Sequence, residues 1–333
     1  MTDIFPAPWP FLPETRRREV GAFYRKYDSK GDGGSDMSIP ETMSRGVTLS
    51  FEVFPPKSEG GMERLRGVLE GLSGWDPAYI SCTCGAGGTD KGRQNEVLSA
   101  VTALGVSAVG HYTCIHRTRE QIGRDVDAML ALGVDHVLAL RGDYAPGENA
   151  TAGSFAHATG LIRFLKERYG SRLTLGCAGF PEGHIDSDDF NADIAVLKRK
   201  QDLGCEFVIT QLTFDMEQFE RWLERIRRAG ITMPVAAGVM PVLERDRCLR
   251  HCLSVNGCAV PRSLARLISR YYEDAEGFRE AGMDYTAAQI RAYMALGVND
   301  LHIYALNELD PVEEILGRCG LWGKGKITEN TQK

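Results

Sequence analysis

Seven short apolar runs in this chain end in side chains that a packed strand interior would not select. The first ends at Glu52, just before Phe54-Pro55-Pro56, the second at Thr83 followed by Gly85-Ala86-Gly87-Gly88, and the third at His111. The fourth ends in Arg141-Gly142-Asp143, the fifth in CAGFPEGH with His184, the sixth in Thr210-Gln211, and another in Tyr304 with Asn307 close by. Ionisable and hydrogen-bonding groups gathered in this way suit a polar ligand and proton transfer. Singly, each has a plain reading: Glu52 as a solvated charge, Arg141-Gly142-Asp143 as a surface ion pair and a turn. Together they point to one convergent site. Gly85 to Gly88 permits close backbone approach and could cradle a phosphate, but it is no G-x-G-x-x-G opening a helix. His111, Cys114 and His116 invite a zinc reading, yet no second ligand pair follows at zinc-like spacing, so no metal is expected.

Something must hold those run ends side by side. From Val47 onward the chain repeats one pattern: a β-branched or apolar run, a turn, then an amphipathic stretch of helical period. The runs are VTLSFEVF, AYISCT, SAVGHYT, DHVLALRG, LTLGCAG, EFVITQL, MPVAAGV and DLHIYAL. Most of the helical stretches between them close on glycine, as helix C-termini often do. PRSLARLISRYYED and DYTAAQIRAYMALG add extra helices before the eighth run. The alternation predicts an α/β fold, and eight runs suggest a closed (β/α)8 TIM barrel. A doubly wound open sheet has the same periodicity, but the polar run ends favour the barrel, whose chemistry collects at the C-terminal ends of its strands. The expected organisation is an N-terminal arm over 1–46, a barrel over 47–320 and a C-terminal tail over 321–333.

Composition sets the outer bounds. With 333 residues, 43% hydrophobic and 25% charged, the chain can bury a large core. A net charge of -6 argues against a nucleic-acid partner. Nine cysteines without framework spacing fit a reducing, cytoplasmic setting. The N-terminus carries no basic region followed by an apolar run, and nowhere do about 18 apolar residues stand together, so no membrane association is expected.

The ordered segments SFEVFPPK, the TxGAGG position, GHYTC, LALRGD, AGFPEGH, DIAVLKRK, ITQLTFD, GVMPV and HIYALN carry a more specific signal. Over residues 47–320 the chain resembles the methylenetetrahydrofolate reductases. The resemblance implies a flavin, FAD ahead of FMN, that takes hydride from NADH or NADPH. It passes hydride to 5,10-methylenetetrahydrofolate, giving 5-methyltetrahydrofolate for one-carbon metabolism and methionine synthesis. It implies Glu52 as general acid, which requires a raised pKa near neutrality. It places Asp143 beside flavin and pterin, and Gln211, Tyr304 and Leu306 at the folate. Thr83, His111, Arg141, Gly142, Asp143, Ala158, Phe180, His184, Asp193 and Lys200 fall on flavin-binding positions. Asp193 and Lys200, seven apart, would share one helical face. Relatives also imply a homo-oligomer.

Five positions depart from the family pattern: Cys84 and Phe180 lack hydroxyls common there, and Arg247, His251 and Glu308 alter the charge along the rim. Arg247 is expected to contact the carboxylates of the folate glutamate tail, or else to pair with Glu308. Two other functions fit the same residues less fully: a non-redox pterin-binding methyl-transfer barrel, and a catalytically silent subunit of a methyl-transfer complex.

Overall fold

Alternation along the first strand turns Ser50 and Glu52 to one side and Phe51 and Val53 to the other, where the latter two are fully buried. This period of two recurs in a closed parallel barrel whose eight strands follow one another in sequence order. The computed structural model describes residues 38–43, 46–84, 93–143, 153–187, 189–255 and 257–321. Strands β1 to β8 are Thr48–Val53, Tyr79–Cys82, Ala108–Thr113, His136–Leu140, Thr174–Gly179, Cys205–Thr210, Val235–Val239 and Asp300–Tyr304. All eight predicted runs are strands, and β8 closes on β1 with Glu52 opposite Tyr304. Closure excludes the open doubly wound sheet.

The helices around the barrel form for local reasons. Thr118 and Gln121 make a reciprocal capping box at the start of Arg119–Ala131, while Asp215 and Asp274 cap Met216–Arg228 and Ala275–Ala295. Their apolar faces meet the outward strand residues in a core that includes Phe51, Val53, Leu69, Val97, Leu161, Phe219, Trp222 and Tyr293. Each large side chain taken from water there is worth about 1.5–3 kcal/mol before its ordering cost. Among the described residues, no helix is long and apolar enough to cross a membrane.

The lower end of the barrel is plugged. Helix Ile39–Met43 lies in the stretch expected to be an arm, yet Ile39 and Met43 are buried with Tyr79, Val109, Leu138 and Phe207, which fill the barrel axis. Ile39 and Met43 are four apart, so one short helix presents both to the same apolar opening. The rest of the expected arm, residues 1–37, the Gly85 to Gly88 loop, and the tail beyond 321 lie outside the described residues. With its base filled by described residues, the barrel leaves the C-terminal ends of its strands as the face for ligands.

Two glycines test this packing in opposite directions. A Cβ on Gly282 of Ala275–Ala295 would sit 1.8 Å from the Val242 carbonyl oxygen, while one on exposed Gly67 of Glu59–Ser73 would meet nothing within 4 Å. Gly282→Ala is expected to destabilise by about 1–3 kcal/mol or more, and Gly67→Ala to stabilise by about 1 kcal/mol through helix propensity. Urea unfolding of the two variants checks both, and equal effects would contradict the packing described.

Candidate active site

At the mouth, β1 brings Glu52 between two imidazoles. Its Oε2 lies 3.5 Å from His111 Nε2 on β3 and 3.5 Å from His302 Nε2 on β8. His302 is fully buried; its Nδ1 lies 2.8 Å from Ser50 Oγ, and its ring stacks on Tyr79 and meets Tyr304 edge-on. His302 was not among the residues expected from sequence, although it stands two before Tyr304 and therefore shares its face. Ser50 and Ser81, also buried, complete the polar layer beneath Glu52.

The protonation of this cluster differs from expectation. Burial by itself raises the Glu52 pKa, but the charge of His111 and the hydrogen bond and charge of His302 outweigh it, so the carboxyl sits below its ordinary value. His111 is also lowered, first by burial and further by His302, against the pull of Glu52. Among the described residues the buried His111 Nε2 has no hydrogen-bond partner, and it approaches Glu52 Oε2 at 3.5 Å. The raised pKa expected of a general acid is therefore not what the described residues around Glu52 produce.

A second group of expected residues forms around the ends of β4 and β5. Arg141 Nε donates to the Gly142 carbonyl at 3.0 Å, and its outer nitrogen pairs with Asp186 at 2.8 Å. Gly142 has φ +91, and a Cβ there would lie 2.9 Å from Ile115 and 3.0 Å from Thr113, so only glycine fits this turn. Asp143 follows on the exposed side. Asp193, near the start of Phe190–Asp202, accepts from the His184 backbone N–H at 2.9 Å. Two turns later Lys200 is buried, donates to the Ala178 carbonyl at 3.0 Å and lies 5.7 Å from the Phe180 ring centre. The shared helical face thus clamps the β5 loop, with Phe180 and His184 in edge contact at 4.7 Å. Burial, then the charge of Arg141, holds His184 below its ordinary value. Ala158 opens helix Ala158–Tyr169, and the Thr83 backbone N–H donates to the Val53 carbonyl at 3.0 Å, beside Glu52.

The third sector comes from β6 to β8. Tyr304 reaches over β7 and donates to the Thr210 carbonyl at 2.9 Å. Gly238 makes room, since a Cβ there would lie 2.5 Å from the Tyr304 hydroxyl. The Gln211 side-chain oxygen accepts from the Leu212 N–H at 2.9 Å, while its backbone N–H donates to Gly179. Leu306 and Asn307 both have positive φ, a backbone conformation costly for residues with a Cβ. Asn307 repays it by bonding both the N–H and the carbonyl of Phe54, at 3.0 and 2.9 Å, which ties the β8 loop to the end of β1. Arg247 pairs with Glu244 at 3.0 Å and reaches Glu308 at 3.9 Å, with Arg279 on the far side of Glu308 at 3.9 Å. Glu182 also went unnoticed in the sequence: it accepts from the Thr213 hydroxyl and from the Ala259 N–H, joining the β5, β6 and β7 loops.

The cluster has a signature in acid. His111, neutral when buried, favours the fold above its ordinary value of 6.5, and that contribution is lost as pH falls below it. Glu52, depressed, favours the fold above its ordinary 4.5 and loses its contribution at lower pH. Stability should therefore fall in two overlapping steps, and His111→Gln should flatten the one that begins near pH 6.5. Urea midpoints from pH 7.5 to about 4 read this; an unchanged slope in the variant would refute it.

Residues 38–320 match the family described as Methylenetetrahydrofolate reductase. Methylenetetrahydrofolate reductase 1 of Schizosaccharomyces pombe is 31% identical over 86% of this chain and 48% of its own length. 5,10-methylenetetrahydrofolate reductase of Escherichia coli is 29% identical over 83% of this chain and 91% of its own length. Methylenetetrahydrofolate reductase (NADH) 1 of Arabidopsis thaliana is 29% identical over 88% of this chain and 52% of its own. The chain thus spans about half the length of the eukaryotic relatives. In fold it is similar, with a TM-score of 0.59 at 13% identity over 82% of this chain and 94% of the other, to an uncharacterized Clostridium thermocellum protein described as binding two copies of 5-methyl-5,6,7,8-tetrahydrofolic acid. The barrel, the ordered motifs at its mouth and the match across nearly all the described residues make this chain a member of the methylenetetrahydrofolate reductase family.

Proposed function

We propose that the chain reduces 5,10-methylenetetrahydrofolate to 5-methyltetrahydrofolate with NADH or NADPH through a bound flavin, FAD rather than FMN. The observation that carries this is Glu52, held between His111 and His302 at the open end of a barrel of this family. The flavin would supply a carrier that takes hydride from nicotinamide and yields it to the folate carbon. The sector around β4 and β5 fits such a group. Arg141, His184 and Lys200 gather there with Phe180, and the positive-φ turn at Gly142 leads directly into Asp143. Thr83, His111, Ala158 and Asp193 border the same sector.

The chain's own residues then have separable tasks. Gln211, Tyr304 and Leu306 face the pterin from β6 and β8. Asp143 favours the cationic iminium electrostatically. Glu52 protonates the substrate nitrogen as the five-membered ring opens. Among the described residues its carboxyl is held low by the imidazoles. A pterin over the rim excludes water, adds to the desolvation that already acts on this group, and raises its proton affinity toward what a donor needs. Arg247 takes the carboxylates of the glutamate tail in exchange for Glu308, whose contact at 3.9 Å is the longer of its two ion pairs.

An anaerobic stopped-flow experiment tests the reading. Purified protein should bind FAD, lose its yellow colour on mixing with NADH or NADPH, and regain it with methylenetetrahydrofolate. A protein that stays colourless with both FAD and FMN would instead be the non-redox pterin barrel. Glu52→Gln should slow reoxidation by folate about 10²–10⁴-fold while leaving reduction by nicotinamide intact; equal loss in both steps would remove Glu52 from acid catalysis. Arg247→Ala should raise the KM for polyglutamylated folate about tenfold, and an unchanged KM would sink the tail contact.

A further inference from the structure

A cavity that the proposed reaction leaves unused lies beside the mouth. Its volume is about 630 Å³, and its walls come from the segments that follow β1 and β8 and from the helices next to them. Phe54 and Asn307, whose hydrogen bonds tie those two segments together, both border it. So does Glu308, which Arg247 reaches at 3.9 Å. The cavity therefore begins where the proposed contact to the first glutamate of the folate ends.

Its lining combines two chemistries. Phe54, 45% exposed, supplies apolar surface together with Pro56, Val68 and Leu309. Lys57, Arg64 and Arg279 supply positive charge against the carboxylates of Glu308 and Asp310. Glu308 is already shared between Arg247 and Arg279, at 3.9 Å from each. Lys57 and Arg64 are exposed and have no carboxylate partner among the described residues. Two uncommitted cations beside apolar surface suit a ligand that alternates carboxylates with methylene groups better than a compact inorganic anion, which would leave the apolar part in water.

We propose that this cavity is a subsite for the second and third residues of an oligo-γ-glutamate tail on the folate, held by Lys57 and Arg64; the proposal rests on the folate reading given above. Each γ-linked glutamate adds an α-carboxylate and two methylene groups to the tail, the same alternation that the lining presents. The carboxylate of the first residue takes Arg247 from Glu308, and Glu308 stays with Arg279. The carboxylates that follow then meet Lys57 and Arg64. Arg64 offers a planar fork that a carboxylate can bind through both oxygens, while Lys57 offers a point charge. Their methylene stems and Phe54 cover the glutamyl methylenes.

Calorimetric titration of the full chain, with FAD added, tests the subsite without turnover; the probes are 5-methyltetrahydrofolate bearing one glutamate and the same folate bearing three. The triglutamate should bind about tenfold tighter, as two exposed ion pairs together provide, and added salt should shrink that advantage. Lys57→Ala combined with Arg64→Ala should bring the ratio to within about twofold; both positions are exposed, so the fold is kept. As a control, Lys198→Ala with Arg228→Ala removes two cations from helices Phe190–Asp202 and Met216–Arg228 and should leave the ratio intact. Equal affinity of the unaltered chain for the two folates would overturn the subsite and leave the folate reading standing. So would an unchanged ratio in the Lys57 and Arg64 variant, or an equal loss in the control. Binding of neither folate would overturn that reading and the subsite with it. An unchanged folate ratio with a selective loss of NADPH affinity over NADH would assign the two cations to the extra phosphate of the donor.

Discussion

A carboxylate that faces into a barrel needs partners, because water reaches it from one side only. The mouth of this protein is arranged around that requirement. Glu52 cannot turn outward without exchanging places with the apolar Phe51 and Val53, since a strand alternates strictly. The chain meets the need with His111 and His302, and supports His302 in turn with Ser50. The same arrangement makes the carboxyl responsive. Its proton affinity is a balance between desolvation and two imidazoles, so whatever covers the rim shifts the balance toward the protonated form.

Holding such a cluster takes stiff loops, and the rim is stitched in two places. Asn307 bonds both backbone groups of Phe54 and fixes the seam where β8 meets β1. Glu182 spans three loops through Thr213 and Ala259, with burial holding its pKa up. Neither stitch is required by the barrel fold. Each costs something locally, positive φ at Leu306 and Asn307 in one case and a half-buried carboxyl in the other, as is common where a backbone is held for function.

Much of this was legible in the sequence, and for physical reasons. Periods of two and of 3.6 residues, with glycines closing the helices, named all eight strands and their order, because strand alternation and helix amphipathicity are local properties. The residues at the run ends marked the rim on which polar groups meet, since such groups at the C-terminal ends of parallel strands converge when the sheet closes. The family motifs added roles that periodicity alone does not contain. Asp193 and Lys200 were expected to share a helical face, and they do, one on each side of the β5 loop.

What the sequence by itself determined, then, is the element order, the barrel and the rim on which its polar strand ends gather. Only the tertiary structure decided that Glu52 is held low, since the direction of its shift depends on two imidazoles roughly 60 and 250 positions away along the chain. It also decided that part of the expected arm plugs the barrel base, because an apolar pair such as Ile39 and Met43 acquires a place only once the strands enclose a cavity. Arg247 reads in sequence as an unpaired choice between ligand and Glu308; in space it holds Glu244 and Glu308 together. Local patterns encode which way a side chain faces, while pKa, pairing and plugging depend on what closure brings opposite it.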